Sequence, residues 1–319
     1  MQVFIAGATG VIGRALIVQL VARGHTVVGM TKTASKQDLL RDLGARPVVA
    51  DALDPAQVAR AIAAAEPEVI VHELTALSLP VSLRDARHPE RSRAAIATGR
   101  LRTEGTDHLL AAGQAAGVQR FVAQSFGAFR LARTGGPVLT EDDPWVPDAP
   151  VRQPGLDELL HLERAVTGIE WGAGLALRYG GFYGPGTTIS RAADAQIAGP
   201  VRKRRFPVVG DGGGVFSHVH VDDAAAATVA AVEGGAPGIY NVTDDEPAPV
   251  REWVPFLAAV LGAKPPRRIP RWLARLLAGE VATAMMTESR GAANAKAKRE
   301  LGWRLHYPSW RQGFAEGLG

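Results

Sequence analysis

The chain of 319 residues contains no cysteine. That excludes disulfides, thiolate nucleophiles and metal sites built on Cys ligands. Aromatic residues make up only 6%, and tyrosine occurs four times. No apolar run is long enough to cross a bilayer. No leader precedes "QVFIAG", which already reads as a strand from residue 2, so the expectation is a cytoplasmic protein without a membrane partner. Charge of neither sign dominates: the net value is +4, which suits an anionic cofactor or small-molecule substrate better than nucleic acid. The densest basic stretch, "RKRRF" at 202–206, is too short to argue for nucleic acid. It reads as a solvated face or, for Arg202 and Arg205, as substrate phosphate ligands. What the chain does have is 46% hydrophobic residues, enough for a sizeable core.

Short apolar runs alternate with helical patterns through the first half. "QVFIAG", "HTVVGMT", "ARPVVAD", "EVIVHEL" and "VQRFVAQS" read as strands, and their unbroken apolar character implies a parallel sheet covered on both faces. "VIGRALIVQLVARG" is a helix closed by Gly24. "DPAQVARAIAAAEP" is a helix with Asp54 as N-cap and Pro55 at its first position. One long helix is expected over about residues 93–117, and a Pro154-opened helix over 151–166. The fold class is α/β: a Rossmann-type doubly wound parallel sheet with a smaller C-terminal substrate domain. Residues 1–177 form the dinucleotide-binding domain, with 216–243 returning to it through "FSHVHVDD" and "GIYNV". Residues 178–215 and 244–319 build the substrate domain. A homodimer is compatible with this organisation.

"GATGVIG" places Gly7, Gly10 and Gly13 between the first strand and the first helix. Such glycines allow a tight turn, close backbone approach to a pyrophosphate and close helix–strand packing, with the helix N-terminus facing the phosphates. Thr9, Val11, Ile12 and Arg14 belong to the same turn and helix start. The second strand ends "VVGMTKTASK", without the acidic residue that would bind the ribose hydroxyls of NAD. Lys32 and Lys36, with Arg14, suit a 2'-phosphate, so the expected cofactor is NADP, with NAD as the other choice. Asp51 either accepts from the adenine amino group or is a helix-opening turn residue. Thr31, Ala52, Leu74, Thr75 and Tyr183 complete the expected cofactor-binding set.

In this order, "GATGVIG", "VIVHELTA", "TEGTDHLLAAGQAAGVQRFVAQS", "LRYGGFYGPG", "FSHVHVDDAAAA" and "KAKRELGW" resemble the extended short-chain dehydrogenase/reductase superfamily, in its NAD-dependent epimerase/dehydratase branch. The resemblance implies a catalytic Ser after the fifth strand, matched by Ser125, and a Tyr-x-x-x-Lys helix running toward a Glu-Arg pair. With Glu163 and Arg164 as that pair, the tyrosine falls at Gly155 and the lysine at Leu159. No tyrosine lies between Trp145 and Arg178. A family asparagine in the long helix falls at Arg102.

The tyrosine of such a set exchanges a proton with the substrate oxygen, and the lysine lowers its pKa. Gly155 and Leu159 can do neither, and Ser125 is a poor acid at neutral pH. Substitutes are Glu73, which ends the fourth strand, and Tyr179 or Tyr183 in "RYGGFYGPG"; Glu73 could instead pair with Arg102. His72 reads as structural and His161 as a surface residue. His218 and His220 share a strand face but lack further ligands, and no metal site is assigned. The leading expectation is an atypical NADP-linked oxidoreductase acting on a small oxygenated metabolite. A redox-neutral isomerase, lyase or epimerase using bound NADP, or a non-catalytic NADP-binding sensor, are the alternatives.

Overall fold

Strands that are apolar at every position need cover on both faces, and they receive it here. The computed structural model describes residues 1–77, 91–132, 135–145 and 153–319. Its main sheet is built from β1 (Gln2–Ala6), β2 (Thr26–Thr31), β3 (Arg46–Val49), β4 (Val69–His72), β5 (Arg120–Phe126), β6 (Ala173–Tyr179) and β7 (Gly238–Val242). The order is β7-β6-β5-β4-β1-β2-β3, and every neighbouring pair is parallel.

The two-residue alternation of strand side chains divides the core. Val3, Val71, Val122 and Leu175 face α1 (Val11–Ala22) and α7 (Val221–Glu233). Phe4, Ile70, Phe121 and Ala123 face α3 (Pro55–Ala65), α5 (Thr106–Ala115) and α6 (Leu156–Thr167). The Asp54 side chain accepts from the Ala56 and Gln57 N–H groups, with Pro55 opening the helix. Gly24, at φ +78°, closes α1.

Three differences from the sequence reading bear on the site. The long helix over 93–117 is interrupted: α4 (Arg93–Arg100) and α5 are joined by a π-helical turn at Leu101–Gly105. Thr103 and Thr106 hydroxyls donate to the Gly99 and Arg102 carbonyls there, occupying backbone acceptors that the wider turn loosens. Helix α6 begins at Leu156 rather than near Pro154; residues 151 and 152 lie outside the described residues. Gly155 stands before it at φ +74°, a left-handed conformation that ends any helical run from the N-terminal side. Finally, only "GIYNV" returns to the large sheet. His218–His220 pairs instead with Gly181–Tyr183 in a separate parallel ribbon. Gly180 permits this departure, since a Cβ there would lie 2.9 Å from the His218 carbonyl carbon.

Beyond the sheet, Tyr183, Val208, Trp253, Trp310 and Phe314 gather into a second apolar cluster. Among the described residues, no helix is long and apolar enough to cross a membrane.

Candidate active site

The glycine turn has the geometry of a dinucleotide cradle. Gly7 has φ +95°, and a Cβ on it would lie 2.7 Å from the Glu73 carbonyl. A Cβ on Gly13 would lie 2.4 Å from the Gly7 carbonyl oxygen. Only glycine fits at either position. Gly10 is the N-cap of α1 and supplies no side-chain cap, so the first N–H groups of the helix are left for an anion. Thr9 and Val11 flank it and are partly exposed, while Ile12 packs inward. These residues fit a pyrophosphate. Arg14 stays at the turn: its Nε donates to the Gly10 carbonyl at 3.4 Å, and its Nη2 lies 3.3 Å from where a Gly186 Cβ would stand.

At the adenosine end, the exposed Lys32 pairs with Asp51, Nζ to Oδ2 at 2.6 Å. Burial acts to raise the Asp51 carboxyl, but Lys32 and the Leu53 N–H hold it below the ordinary range. Thr31 is buried, its hydroxyl accepting from the Thr33 N–H. Ala52 is buried and offers its carbonyl to His108. Leu74 and Thr75, after β4, are partly exposed.

On the α6 side of the sheet, Ser125 does not stand free. Its hydroxyl donates to Glu163 Oε1 at 2.6 Å. Arg178 grips the same carboxylate with two parallel bonds, Nε to Oε1 and Nη2 to Oε2, both 2.7 Å. All three residues are buried. Burial of an ion pair is tolerable only with such bidentate geometry and extra donors. Leu159 is 1% exposed, and Gly155 presents only backbone. Helix α6 therefore brings a hydrophobe and a glycine to the two positions where an acid–base pair was sought.

Glu73 lies on the other face of the sheet. It does not pair with Arg102. Its Oε1 accepts from the Tyr179 hydroxyl at 2.9 Å, and that hydroxyl is 2.5 Å from Thr228 Oγ1 on α7. Glu73 Oε2 is buried without a partner. Burial pushes its carboxyl up to about 8, against a smaller lowering by Tyr179, so it is largely protonated at neutral pH. Burial, followed by the Glu73 charge, raises the Tyr179 hydroxyl well above its ordinary range. The structure thus joins two of the substitutes named from sequence. It separates the third. Tyr183 is 0% exposed, packs edge-on against Phe314 at 5.2 Å between ring centroids, and has no partner for its hydroxyl; burial raises its pKa too.

The remaining candidates are placed elsewhere. His72 Nδ1 accepts from the Leu74 N–H, while Nε2 lies 3.1 Å from Thr106 Oγ1; burial lowers it to about 4, so the ring is neutral. His161 pairs with Asp107 at 2.8 Å. His218 sits among Trp253, Phe314 and Trp310. Arg202 donates to the carbonyls of Ala192, Ser190 and Arg191, and so braces that loop.

Sequence reasoning gave no role to Arg130 or Arg178. Arg130 is buried and donates to the Asp143 and Thr140 carbonyls. The Trp145 ring lies 4.8 Å from the Arg130 guanidinium carbon and 5.4 Å from that of Arg178. Arg102, in the π-helical turn, directs Nη1 to 3.6 Å from where a Gly155 Cβ would stand. The departure from helical spacing that aims it there left no mark in the residue pattern.

The sheet and its glycine turn define a Rossmann-type nicotinamide-dinucleotide protein. The chain belongs to the NAD dependent epimerase/dehydratase family, whose profile matches residues 3–243. It is 49% identical over 317 residues to a 3-diazoavenalumate denitrifying reductase from Streptomyces sp, covering 98% of this chain and 99% of that one. It is 27% identical over 276 residues to a 2-alkyl-3-oxoalkanoate reductase from Stenotrophomonas maltophilia, covering 82% and 76%. A human epimerase family protein, solved with NADPH, superposes with a TM-score of 0.75 at 19% identity, covering 100% of this chain and 99% of that one.

Proposed function

We propose that this chain is an NADP-preferring reductase whose hydride goes to a substrate centre that needs no proton from α6. The arrangement of that helix carries the reading: Gly155 and Leu159 hold no titratable group, and the Ser125 proton is committed to Glu163. A carbonyl that accepts hydride becomes an alkoxide and requires an acid beside it. A diazonium carbon does not. Its C–N bond breaks as N2 departs, the hydride pair becomes the new C–H bond, and the cationic charge is neutralised without a proton. The 49%-identical relative is named for a diazo substrate and a denitrifying reduction, which supports this acceptor class.

In this reading the chain's residues have simple tasks. The glycine turn would hold a reduced nicotinamide dinucleotide, whose chemistry is hydride supply. The backbone N–H groups at Val11 and Ile12 would receive its pyrophosphate. Lys32, released from Asp51, would receive the 2'-phosphate. Ser125, Glu163 and Arg178 lock α6 against β5 and β6, which fixes the floor of the cleft.

A second reading has its own observation. The Glu73–Tyr179 hydrogen bond and the raised Glu73 carboxyl would serve a carbonyl reductase with a proton source on the opposite face of the sheet. The 27%-identical relative is named for an oxoalkanoate. Tyr183, within the second apolar cluster, then shapes the site rather than titrating.

The test compares two acceptors of the same size, 4-carboxybenzenediazonium and 4-acetylbenzoate, with NADPH. The first reading expects protein-dependent NADPH oxidation with the diazonium and little with the ketone. Turnover of the ketone, abolished in Glu73→Gln, supports the second reading instead. No oxidation with either returns the question to redox-neutral chemistry or cofactor sensing.

A further inference from the structure

Around Glu163 the described residues place more positive charge than that carboxylate can neutralise. Its two oxygens already accept from Ser125 and from two nitrogens of Arg178. Arg178 Nη1 is buried and has no hydrogen-bond partner. Arg130 donates to backbone carbonyls, and Glu163, Asp143 and Glu141 act on its charge through space. Arg102 is the most exceptional of the three. Its Nε is buried without a partner, and among the described residues its guanidinium makes no ion pair. Glu158 and Glu163 act on it only through space, and burial, the larger effect, lowers it to about 10. It is still a cation at neutral pH. A cation with a shielded Nε that no acceptor meets is costly unless something completes it.

The local geometry gives Arg102 a direction. The π-helical turn at Leu101–Gly105 carries Arg102 toward the head of α6, where Gly155 has no side chain to meet it. Arg102 remains partly exposed while its Nε is shielded, so part of its fork is open to solvent beside Gly155. The backbone there also presents the positive end of a 12-residue helix.

We infer that Arg102 is the substrate's anion receptor: it binds a carboxylate in the space left by Gly155. A planar monoanion matches the guanidinium fork. A phosphate dianion fits less well, because the Glu163 and Glu158 carboxylates repel its second charge. The inference rests on the reductase reading for the identity of the cleft, yet binding alone tests it, so a failure of turnover and a failure of the anion site are separable.

The probes are benzoate, its neutral isostere benzamide, and inorganic phosphate, titrated by calorimetry into the NADP-loaded protein. Benzoate should bind at least about tenfold more tightly than benzamide or phosphate, a difference read directly as a ratio of Kd values. Arg102→Gln should abolish that preference while NADP affinity holds and Tm is unchanged or raised, since a cation with a shielded Nε that no acceptor meets has been removed. Arg102→Lys should restore part of it, as a point charge without the fork. Equal binding of benzoate and benzamide, absent benzoate binding, or full benzoate affinity in Arg102→Gln would each overturn the inference. Preference for phosphate would overturn its carboxylate assignment. A fall in Tm with benzoate affinity intact would mark Arg102 as structural.

Discussion

Ser125 and Glu163 are joined by a 2.6 Å hydrogen bond between buried side chains, 38 residues apart in sequence. The bond directs the one proton of the serine into the core of the α6 packing and away from the cleft. Ser125→Ala should therefore lower stability, by about 1–3 kcal/mol for a buried acceptor losing a donor. Turnover per folded molecule should change by less than about threefold. A fall of roughly 10²-fold, the scale on which a lost donor to a developing oxyanion is felt, would show that the hydroxyl turns to the substrate. Denaturant melts and single-turnover rates on the same preparation separate the two effects.

In the proposed reading the cofactor preference depends on the Lys32–Asp51 pair. Lys32 is 73% exposed, so its attachment to Asp51 is weakly held and readily exchanged for a 2'-phosphate. NADP should bind more tightly than NAD in calorimetric titration. Lys32→Asp should reverse the order, by removing the cation and adding an acceptor for the ribose hydroxyls. Equal affinities in the unaltered protein would refute the argument.

Glu73 makes a distinct pH signature. Its carboxyl is raised to about 8 in the folded protein from 4.5. The folded state therefore holds a proton that the unfolded state releases between those values. The associated stability is complete below 4.5 and is lost as pH rises through 8, with a slope of at most about 1.4 kcal/mol per pH unit. His72, lowered to about 4, and His218, lowered to about 3, act in the opposite sense. Their contribution is complete above 6.5 and is lost as pH falls. Between pH 6.5 and 8 the Glu73 effect is unopposed by them. Asp244, also raised by burial, shares its sign, so the diagnostic is the difference between Glu73→Gln and the unaltered protein. That difference should vary with pH across this window, and a pH-independent offset would contradict the assignment. In the carbonyl-reductase reading the same variant should also lose roughly 10²-fold in turnover.

Leu159, 1% exposed, tests whether α6 has left the chemistry. Leu159→Ala should cost about 2–5 kcal/mol of stability, with the turnover of the folded fraction nearly unchanged. Lost turnover at unchanged Tm would place this side chain at the reacting centre.

The sheet was legible because its strands are apolar without interruption, and the turn because its glycines sit between a strand and a helix. The absence of a tyrosine and a lysine could be read for the same reason: it depends on local residue identity. The contacts of Ser125 and Glu73 and the direction of Arg102 could not. Each forms across the sheet or between elements separated by 38 residues or more, and no spacing rule encodes such pairs. Arg102 was visible as a departure from the family pattern, but its aim depends on the π-helical turn, which helical periodicity does not reveal. The pairing of "FSHVHVDD" with Gly181–Tyr183 was hidden by a pattern common to strands of any sheet.

In the proposed reaction, hydride passes from the nicotinamide to a substrate that loses N2 without help from an acid on α6. Its most direct measurement uses NADPH deuterated separately at each face of C4, with 4-carboxybenzenediazonium and a protein-free control. The benzoate formed should carry one deuterium, from one face only, with one N2 released per NADP produced and a rate insensitive to Ser125→Ala. Benzoate without deuterium, or the same label and rate in the protein-free control, would contradict it.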